Sequence, residues 1–179
     1  MKFVIADTHF SHNNIIKYCN RPFADVHEMN NKLVENWNNT VTDADEIYVL
    51  GDFAFGNFTQ VSNTAAMLNG KKYLIIGNHD RFSASEYVDA GFCWASPLPV
   101  ILDEFYVLSH QPQYIQKNGV YMNIFGHVHD NPMYNTISSR SYCVSVERIN
   151  YQPIDFAEVK TAISTMNEIT KDIENNEQA

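Results

Sequence analysis

Residues 73–81 read YLIIGNHDR, an apolar run that ends abruptly in a glycine and polar side chains. An apolar run of this length is typical of a buried strand, and the glycine marks its end. Asn78, His79 and Asp80 belong to residue types that bind metal ions or transfer protons, and a simple turn does not require the His-Asp pair. The meaning of this segment depends on whether other strands of the chain end in the same way.

Four other apolar runs also end in carboxylate or imidazole side chains. Asp7 and His9 follow KFVIA, Asp52 follows EIYVLG, His110 follows FYVLS, and His127 and His129 follow NIFG. In open α/β sheets, ligand sites lie where strand ends converge on one edge, so these groups are expected to gather there. Each short motif alone is more typical of an ordinary turn, but five in series indicate a functional site.

The composition predicts one soluble globular domain that spans residues 1–179, with 45% apolar and 18% charged residues. The net charge of −9 argues against extensive binding of duplex nucleic acid. No run approaches the roughly 18 apolar residues of a membrane span, and the first apolar run is too short for a signal peptide. Cys19, Cys93 and Cys143 are widely spaced, which predicts no disulfide, no thiolate metal site and a cytoplasmic location.

Short apolar runs alternate with helical patterns, which predicts a layered α/β architecture. Strands are predicted at 2–6, 46–50, 72–76, 98–102, 105–109, 121–125 and 142–146. One helix is predicted after a capping-box pattern at Asp25 and Glu28, because Met29, Leu33 and Trp37 then form an apolar stripe. Two more helices are predicted over 59–69 and over about 155–173, the latter followed by a frayed tail at 174–179.

The donor set at the five strand ends suits metal ions. Carboxylate oxygens and imidazole nitrogens without a thiolate favour Mn²⁺, Fe, Zn²⁺, Co²⁺ or Ni²⁺ over Ca²⁺. Seven donor side chains are too many for one tetrahedral ion. They suit two ions about 3.5–4 Å apart that share a bridging carboxylate.

The order of these motifs resembles that of the calcineurin-like metallophosphoesterase superfamily. The matching series is Asp7-x-His9, Gly51-Asp52, Gly77-Asn78-His79-Asp80, His110 and Gly126-His127-x-His129. The opening DTHFSHNNIIKYCNRPF is similar to a small, cap-less bacterial and phage subgroup of phosphoesterases. The resemblance implies a layered β-sandwich flanked by helices in a single α/β domain. The valine at position 128, where many members have Thr or Ser, is not at a ligand position.

The resemblance also implies roles for individual residues. Asp7, His9 and His129 would hold one divalent ion, Asn78, His110 and His127 the other, with Asp52 bridging both. A hydroxide bridging the ions would attack phosphorus, and His79 would protonate the leaving alkoxide. Asp80 would lie behind His79 and fix its tautomer. Mn²⁺ is the first expectation for the metal, with Fe, Zn²⁺, Co²⁺ or Ni²⁺ as alternatives.

Three further residues are candidates for contact with substrate. Arg21 and Arg81 could bind a phosphate, or could form surface ion pairs. His12 could contact the substrate, or could be a solvent-facing or capping group. The expected partner is a small phosphate ester, with a nucleotide as one candidate, and the oligomeric state is left open. A phosphodiester is favoured. Alternatives are a phosphomonoesterase or nucleotidase and a non-catalytic metal-binding scaffold, while a DNA-repair nuclease is disfavoured by the short, acidic chain.

Overall fold

Two β-sheets share one core in the computed structural model, which describes residues 1–135 and 138–177, the last seven by their backbone alone. The first sheet has the strand order β4–β3–β2–β1–β9. Its strands are β1 (Lys2–Ile5), β2 (Glu46–Val49), β3 (Lys71–Ile75), β4 (Trp94–Ser96) and β9 (Ile154–Asp155). Strands β1 to β4 are parallel, so their carboxyl ends share one edge, and β9 is antiparallel to β1.

The second sheet has the order β5–β6–β7–β8. Its strands are β5 (Val100–Leu102), β6 (Tyr106–Ser109), β7 (Met122–Phe125) and β8 (Ser141–Cys143). Strands β6, β7 and β8 are parallel, and β5 pairs antiparallel with β6. A parallel bridge between Ala6 and Ser145 joins the ends of β1 and β8, and this bridge brings the carboxyl edges of the two sheets together.

Helices pack around the two sheets. They are α1 (Ile15–Tyr18), α2 (Val26–Thr40), α3 (Phe58–Met67), α4 (Ala84–Asp89) and α5 (Phe156–Glu177). In α2 the Asp25 side chain caps the helix by accepting hydrogen bonds from the amides of His27 and Glu28. Met29, Leu33 and Trp37 on its apolar face are buried, because a stripe at this spacing faces the core. The Glu28 carboxylate accepts from the amide of Ala24 and not from that of Asp25, so the predicted capping box forms in a modified way.

The predicted layered β-sandwich flanked by helices is confirmed. The short elements β4, α1, α4 and β9 were not predicted, and β5 covers only the second half of the predicted strand 98–102. Helix α5 continues to Glu177, beyond the predicted end at 173, while positions 178 and 179 of the predicted frayed tail lie outside the described residues. Within the described part of the chain, no helix combines the length and apolar character that crossing a membrane requires.

Candidate metal centre

The structure brings all seven predicted metal ligands to the edge where the two sheets meet. Asp7 and His9 follow β1, Asp52 follows β2, Asn78 follows β3, His110 follows β6, and His127 and His129 follow β7. The loops after β1 and β2 are fixed to each other by backbone hydrogen bonds from Asp7 to Gly51 and from His9 to Asp52. The site is therefore built by loops whose positions the two sheets determine.

Glycines allow these loops to approach one another. A Cβ added at Gly77 would lie 2.3 Å from Asp52 Oδ1 and 2.4 Å from the Asp52 amide nitrogen. A Cβ added at Gly126 would lie 2.4 Å from the Cβ of Ala6 and 2.7 Å from Asp7 Oδ2. All four distances are far below van der Waals contact, so a larger residue at either position would push the ligand-bearing loops apart.

Five of the seven predicted ligands have left-handed backbone conformations. Their φ angles are 59° at Asp7, 50° at His9, 55° at Asp52, 70° at His127 and 49° at His129. Such angles are uncommon outside glycine, although Asp, Asn and His adopt them more readily than other residues. Each costs on the order of 1–3 kcal/mol, and strain of this kind is typical of functional sites.

Asp7, His9 and His129 form the first cluster, in which one donor atom from each lies within 4.8 Å of the others. Asp7 Oδ2 accepts hydrogen bonds from the Ser145 hydroxyl at 2.6 Å and from the His127 amide at 2.8 Å. Its other oxygen, Oδ1, is buried and has no hydrogen-bond partner among the described residues, and the same holds for both ring nitrogens of His9. Because buried polar atoms are almost always paired, these orphaned atoms fit a metal ion.

Asn78, His110 and His127 form the second cluster. Asn78 Oδ1 lies 2.7 Å from His110 Nε2 and 2.9 Å from His127 Nδ1, and the two ring nitrogens are 3.2 Å apart. His110 Nδ1 lies 2.9 Å from the Leu50 carbonyl and donates to it, which leaves Nε2 with a free lone pair. Three donors this close fit one shared cation, since ligands of a tetrahedral ion are about 3.4 Å apart.

Asp52 lies between the two clusters. Its Oδ2 is 3.4 Å from His9 Nε2 and 3.6 Å from His110 Nε2, one histidine from each cluster. Its Oδ1 accepts a hydrogen bond of 2.8 Å from the backbone amide of His79, which holds the carboxylate in this position. The geometry therefore fits a carboxylate that serves two ions at once.

Glu147 is a buried carboxylate at this site that the sequence analysis did not identify. Its Oε1 lies 3.0 Å from His129 Nδ1 and 2.7 Å from Arg21 Nη2, and its side chain is 4% exposed. The hydrogen bond orients the His129 imidazole and leaves Nε2 as the nitrogen available to an ion. Glu147 follows the apolar run 142–146, so extending the strand-end pattern to a sixth strand would have identified it.

The structure corrects the predicted role of Arg21. Its guanidinium is fully buried, pairs with Glu147 and donates to the backbone carbonyls of Asp7 at 2.7 Å and Thr8 at 3.0 Å. It cannot reach a substrate phosphate, because these contacts point it into the protein. It also forms no surface ion pair, the alternative considered above. Arg21 instead fixes the loop that carries Asp7 and His9.

The structure also corrects the predicted role of Asp80. Its two oxygens accept hydrogen bonds of 2.8 to 3.0 Å from the backbone amides of Gly77, Asp52 and Phe53. Within the described part of the chain, none of its hydrogen bonds goes to the His79 imidazole. Asp80 therefore joins the loops after β2 and β3, and burial raises its pKa above the usual value.

His79 itself lies at the solvent-facing side of the first cluster. Its backbone is tied to Asp52, while its side chain is exposed and its ring centroid lies 5.5 Å from that of His9. His12 is stacked on Phe55 with ring centroids 3.9 Å apart, and the Arg81 guanidinium lies 5.4 Å from the centre of the same ring. Two of the three predicted substrate contacts, His12 and Arg81, thus lie beside His79 at the cluster's edge.

The electrostatics of the first cluster also fit a cation. Burial raises the pKa of Asp7 to about 6 and lowers the pKa of His9 far below its usual value, so both groups resist charge while no cation is near. Burial also opposes a charge on His129, but contacts with Cys19 and Glu147 outweigh it and raise the pKa of His129 to about 10. The environment of His129 thus favours positive charge, which a bound metal would provide.

The chain is similar in sequence and fold to known proteins. The model of the family "Calcineurin-like phosphoesterase" matches residues 3–106. The uncharacterized protein MJ1445 of Methanocaldococcus jannaschii is 38% identical over 154 residues, which cover 85% of each chain. The crystal structure of a protein of unknown function from Aquifex aeolicus, AQ665, superposes with a TM-score of 0.69 at 25% identity and covers 90% of this chain and 98% of its own.

The family match covers more than half of the chain and includes the segments with Asp7, His9, Asp52 and Asn78. The fold and the donor clusters are those expected for a protein that binds divalent metal ions. The chain therefore belongs to the calcineurin-like phosphoesterase family, whose members are metal-dependent hydrolases of phosphate esters.

Proposed function

We propose that the protein is a dinuclear phosphoesterase that favours phosphodiesters. Asp7, His9 and His129 would hold one ion, Asn78, His110 and His127 would hold the other, and Asp52 would serve both. The observation that carries this proposal is the set of buried, unpartnered donor atoms, Asp7 Oδ1 and the two His9 nitrogens, beside the converging donors of the second cluster. Mn²⁺ is the metal we expect first, and the carboxylate, amide and imidazole donors suit Fe, Zn²⁺, Co²⁺ or Ni²⁺ as well.

Two bound ions would supply positive charge for the phosphate oxygens and lower the pKa of an attacking water. The protein positions the reacting groups. Asp52 is held by the amide of His79, so its free oxygen stays between the clusters. His79 has an exposed ring beside His9, where it can donate a proton to the departing ester oxygen. General acid help of this kind contributes on the order of 10²–10⁴-fold.

His12 and Arg81 are the proposed contacts for the substrate on the His79 side. Both flank the Phe55 ring, and the Arg81 side chain is exposed and free to approach a phosphate oxygen. The substrate we propose is a small phosphodiester, with a nucleotide derivative as the first candidate. We further propose that residues 1–179 act as one domain in the cytoplasm, where thiols such as Cys93 stay reduced.

Metal removal and reconstitution test the proposal. Protein stripped of metal by a chelator should be inactive and should recover activity with Mn²⁺ on a phosphodiester such as bis(p-nitrophenyl) phosphate. Elemental analysis of the replete protein should approach two ions per chain. A replete protein that binds a single ion, or that hydrolyses the ester equally well without metal, would contradict the dinuclear assignment.

A further inference from the structure

A groove of about 410 Å³ adjoins the second cluster at the seam between the two sheets. Its lining includes the proposed ligands Asn78 and His110, together with Ile76, Pro97, Pro99 and Gln113. Apart from the metal-facing His110, none of its lining residues, all of which lie in the described part of the chain, is titratable. We call it the neutral groove. Its size is within the range of small-molecule sites, roughly 300–1,000 Å³.

The walls of the neutral groove are held in place by local contacts. The segment Pro97–Pro99 is fixed by Ser96, whose hydroxyl accepts from the Leu98 amide at 3.0 Å. Elsewhere in the lining, the Gln113 amide donates to Asn123 Oδ1 at 2.8 Å, and Gln113 Nε2 donates to the Gln111 carbonyl at 3.1 Å. The groove is therefore present before any ligand binds, and its side-chain amides offer neutral hydrogen-bonding groups.

The cationic groups and the neutral groove adjoin different clusters of the metal centre. His79 and Arg81 lie on the side of His9 and Phe55, whereas the groove opens beside Asn78 and His110. A nucleoside or alkyl leaving group needs a proton and must depart near the proton donor, so on the proposed function the leaving position lies on the His79 side. A p-nitrophenyl group, which needs no proton, leaves from the same position because the direction of attack is the same. A diester has a second organic substituent that remains on phosphorus, and the groove is the space available to it.

We propose that the neutral groove binds the non-leaving substituent of a phosphodiester, an uncharged organic group of about the size of a nucleoside. This inference rests on the proposed function and adds the substrate class to it. Pro97, Pro99 and Ile76 offer apolar contact to the flat or aliphatic part of such a group, and Gln113 offers hydrogen bonds to its polar edge. A substituent with further negative charge finds no cationic partner there.

Two diesters with the same leaving group test the inference. Methyl p-nitrophenyl phosphate and thymidine 5′-(p-nitrophenyl) phosphate carry equal charge and release the same phenolate, so they differ only in the substituent that remains. The wild-type enzyme should show a kcat/KM at least about tenfold higher for the thymidine ester, because remote binding energy is available to it alone. Calorimetric titration of the metal-loaded protein should likewise show tighter binding of thymidine 5′-monophosphate than of methyl phosphate.

Charge placed in the groove should remove this preference. In Gln113→Glu and Pro99→Glu, both at exposed positions, the thymidine-to-methyl ratio should fall about tenfold, because a carboxylate must then be desolvated against an uncharged group. Gln116→Glu makes the same change at an exposed position outside the groove and should keep the wild-type ratio. Any effect of added charge on the metals or on the phosphate cancels in the ratio.

The outcomes separate the inference from the proposed function. Metal-dependent hydrolysis of both diesters with a thymidine-to-methyl ratio of kcat/KM near one overturns the inference, while the phosphoesterase function stands. The same conclusion follows if neither groove variant changes this ratio. Hydrolysis of p-nitrophenyl phosphate but of neither diester also overturns it and indicates a monoesterase. No metal-dependent hydrolysis of any of the three esters overturns the proposed function and the inference together.

Discussion

The two halves of the metal centre are built differently. In the first cluster, Asp7 and His9 are 0% and 1% exposed, and the surrounding contacts come from Ser145 and from the Glu147–Arg21 ion pair. In the second cluster, Asn78 is exposed, and the orienting partner of His110 is the neutral Leu50 carbonyl. The first half is surrounded by buried charged groups, whereas the second is positioned by backbone contacts and is exposed to solvent at Asn78.

This difference implies that the two clusters bind their metal ions with different affinities. A carboxylate that accepts a hydrogen bond from a metal-ligating histidine increases the basicity of that ligand, so the first ion should bind more tightly. The second cluster replaces a carboxylate with the neutral Asn78 oxygen and lies beside the neutral groove. We expect its ion to exchange more readily. The comparison predicts two inequivalent ions, with the more exposed one nearer to the bound substituent.

The largest effect should come from Asp52→Ala, which removes the group common to both halves. Activity should fall by about 10⁴-fold or more and metal content should drop well below two ions per chain, because two cations then lie close together without a shared anion. Elemental analysis and steady-state kinetics measure both. Asp43→Ala removes an exposed aspartate elsewhere and should keep full metal content. Retention of two ions in Asp52→Ala would refute the bridging role.

His79→Ala tests the solvent-facing side of the first cluster without removing a ligand. Both ions should remain bound, and the loss should depend on the leaving group. It should be small with a p-nitrophenyl ester, which needs no proton, and roughly 10²–10⁴-fold with an alkyl or nucleoside leaving group. Asp80→Asn, which weakens contacts to backbone amides, should affect both substrates equally. Equal losses in His79→Ala would exclude it as the general acid.

Glu147→Gln tests whether the charged contacts give the first cluster a higher affinity for its metal ion than the second cluster has. Affinity for one ion should fall about 10–100-fold while the other is retained, because His129 loses its carboxylate partner. The metal-free protein should also melt at a lower temperature, since Arg21 is left buried without a counter-charge. Metal titration and thermal unfolding provide the two measurements, with Glu158→Gln at an exposed position as control. Equal weakening of both ions would argue against inequivalent halves.

The smallest effect should come from reductant. Cys19, Cys93 and Cys143 carry free thiols in the structure. Dithiothreitol should therefore leave the melting temperature and the activity of the metal-loaded protein unchanged within error. None of the seven proposed ligands is a cysteine, so the metal content should also stay unchanged. A clear fall in melting temperature on reduction would indicate a disulfide and would count against a cytoplasmic location.

The convergence of the proposed ligands was largely predictable because these residues directly follow strands. Periodicity located the apolar runs, and parallel strands of one sheet must place their carboxyl ends at one edge. The side chains that follow KFVIA, EIYVLG and YLIIG were therefore expected at the same edge of the sheet, and the parallel pairing of β1, β2 and β3 places them there. Short elements such as β4 and α4 were not predicted, because a periodic pattern over three to six residues is too short to distinguish a strand or helix from a loop.

Contacts between distant segments were not predictable from the sequence. Arg21 was assigned to substrate because a guanidinium matches phosphate geometry, but its buried partner Glu147 lies 126 residues away in the chain. The sequence predicts that Asp80 orients its neighbour His79, whereas in the structure its carboxylate accepts hydrogen bonds from amides of the loop after β2. Sequence shows which side chains can do chemistry, but tertiary packing decides whether a charged group faces a substrate or supports a loop.

The left-handed backbone at the ligands limits how this protein can be altered. At Asp7, His9, Asp52, His127 and His129, glycine would be the residue best suited to the conformation. Substitution of a ligand by glycine should therefore relieve local strain in the metal-free chain, while the same position changed to valine should add to it. Where this relief exceeds the loss of the side chain's own hydrogen bonds and packing, selection for thermal stability alone would favour an inactive variant. Any search for a more robust enzyme should accordingly screen for retained metal as well as for melting temperature.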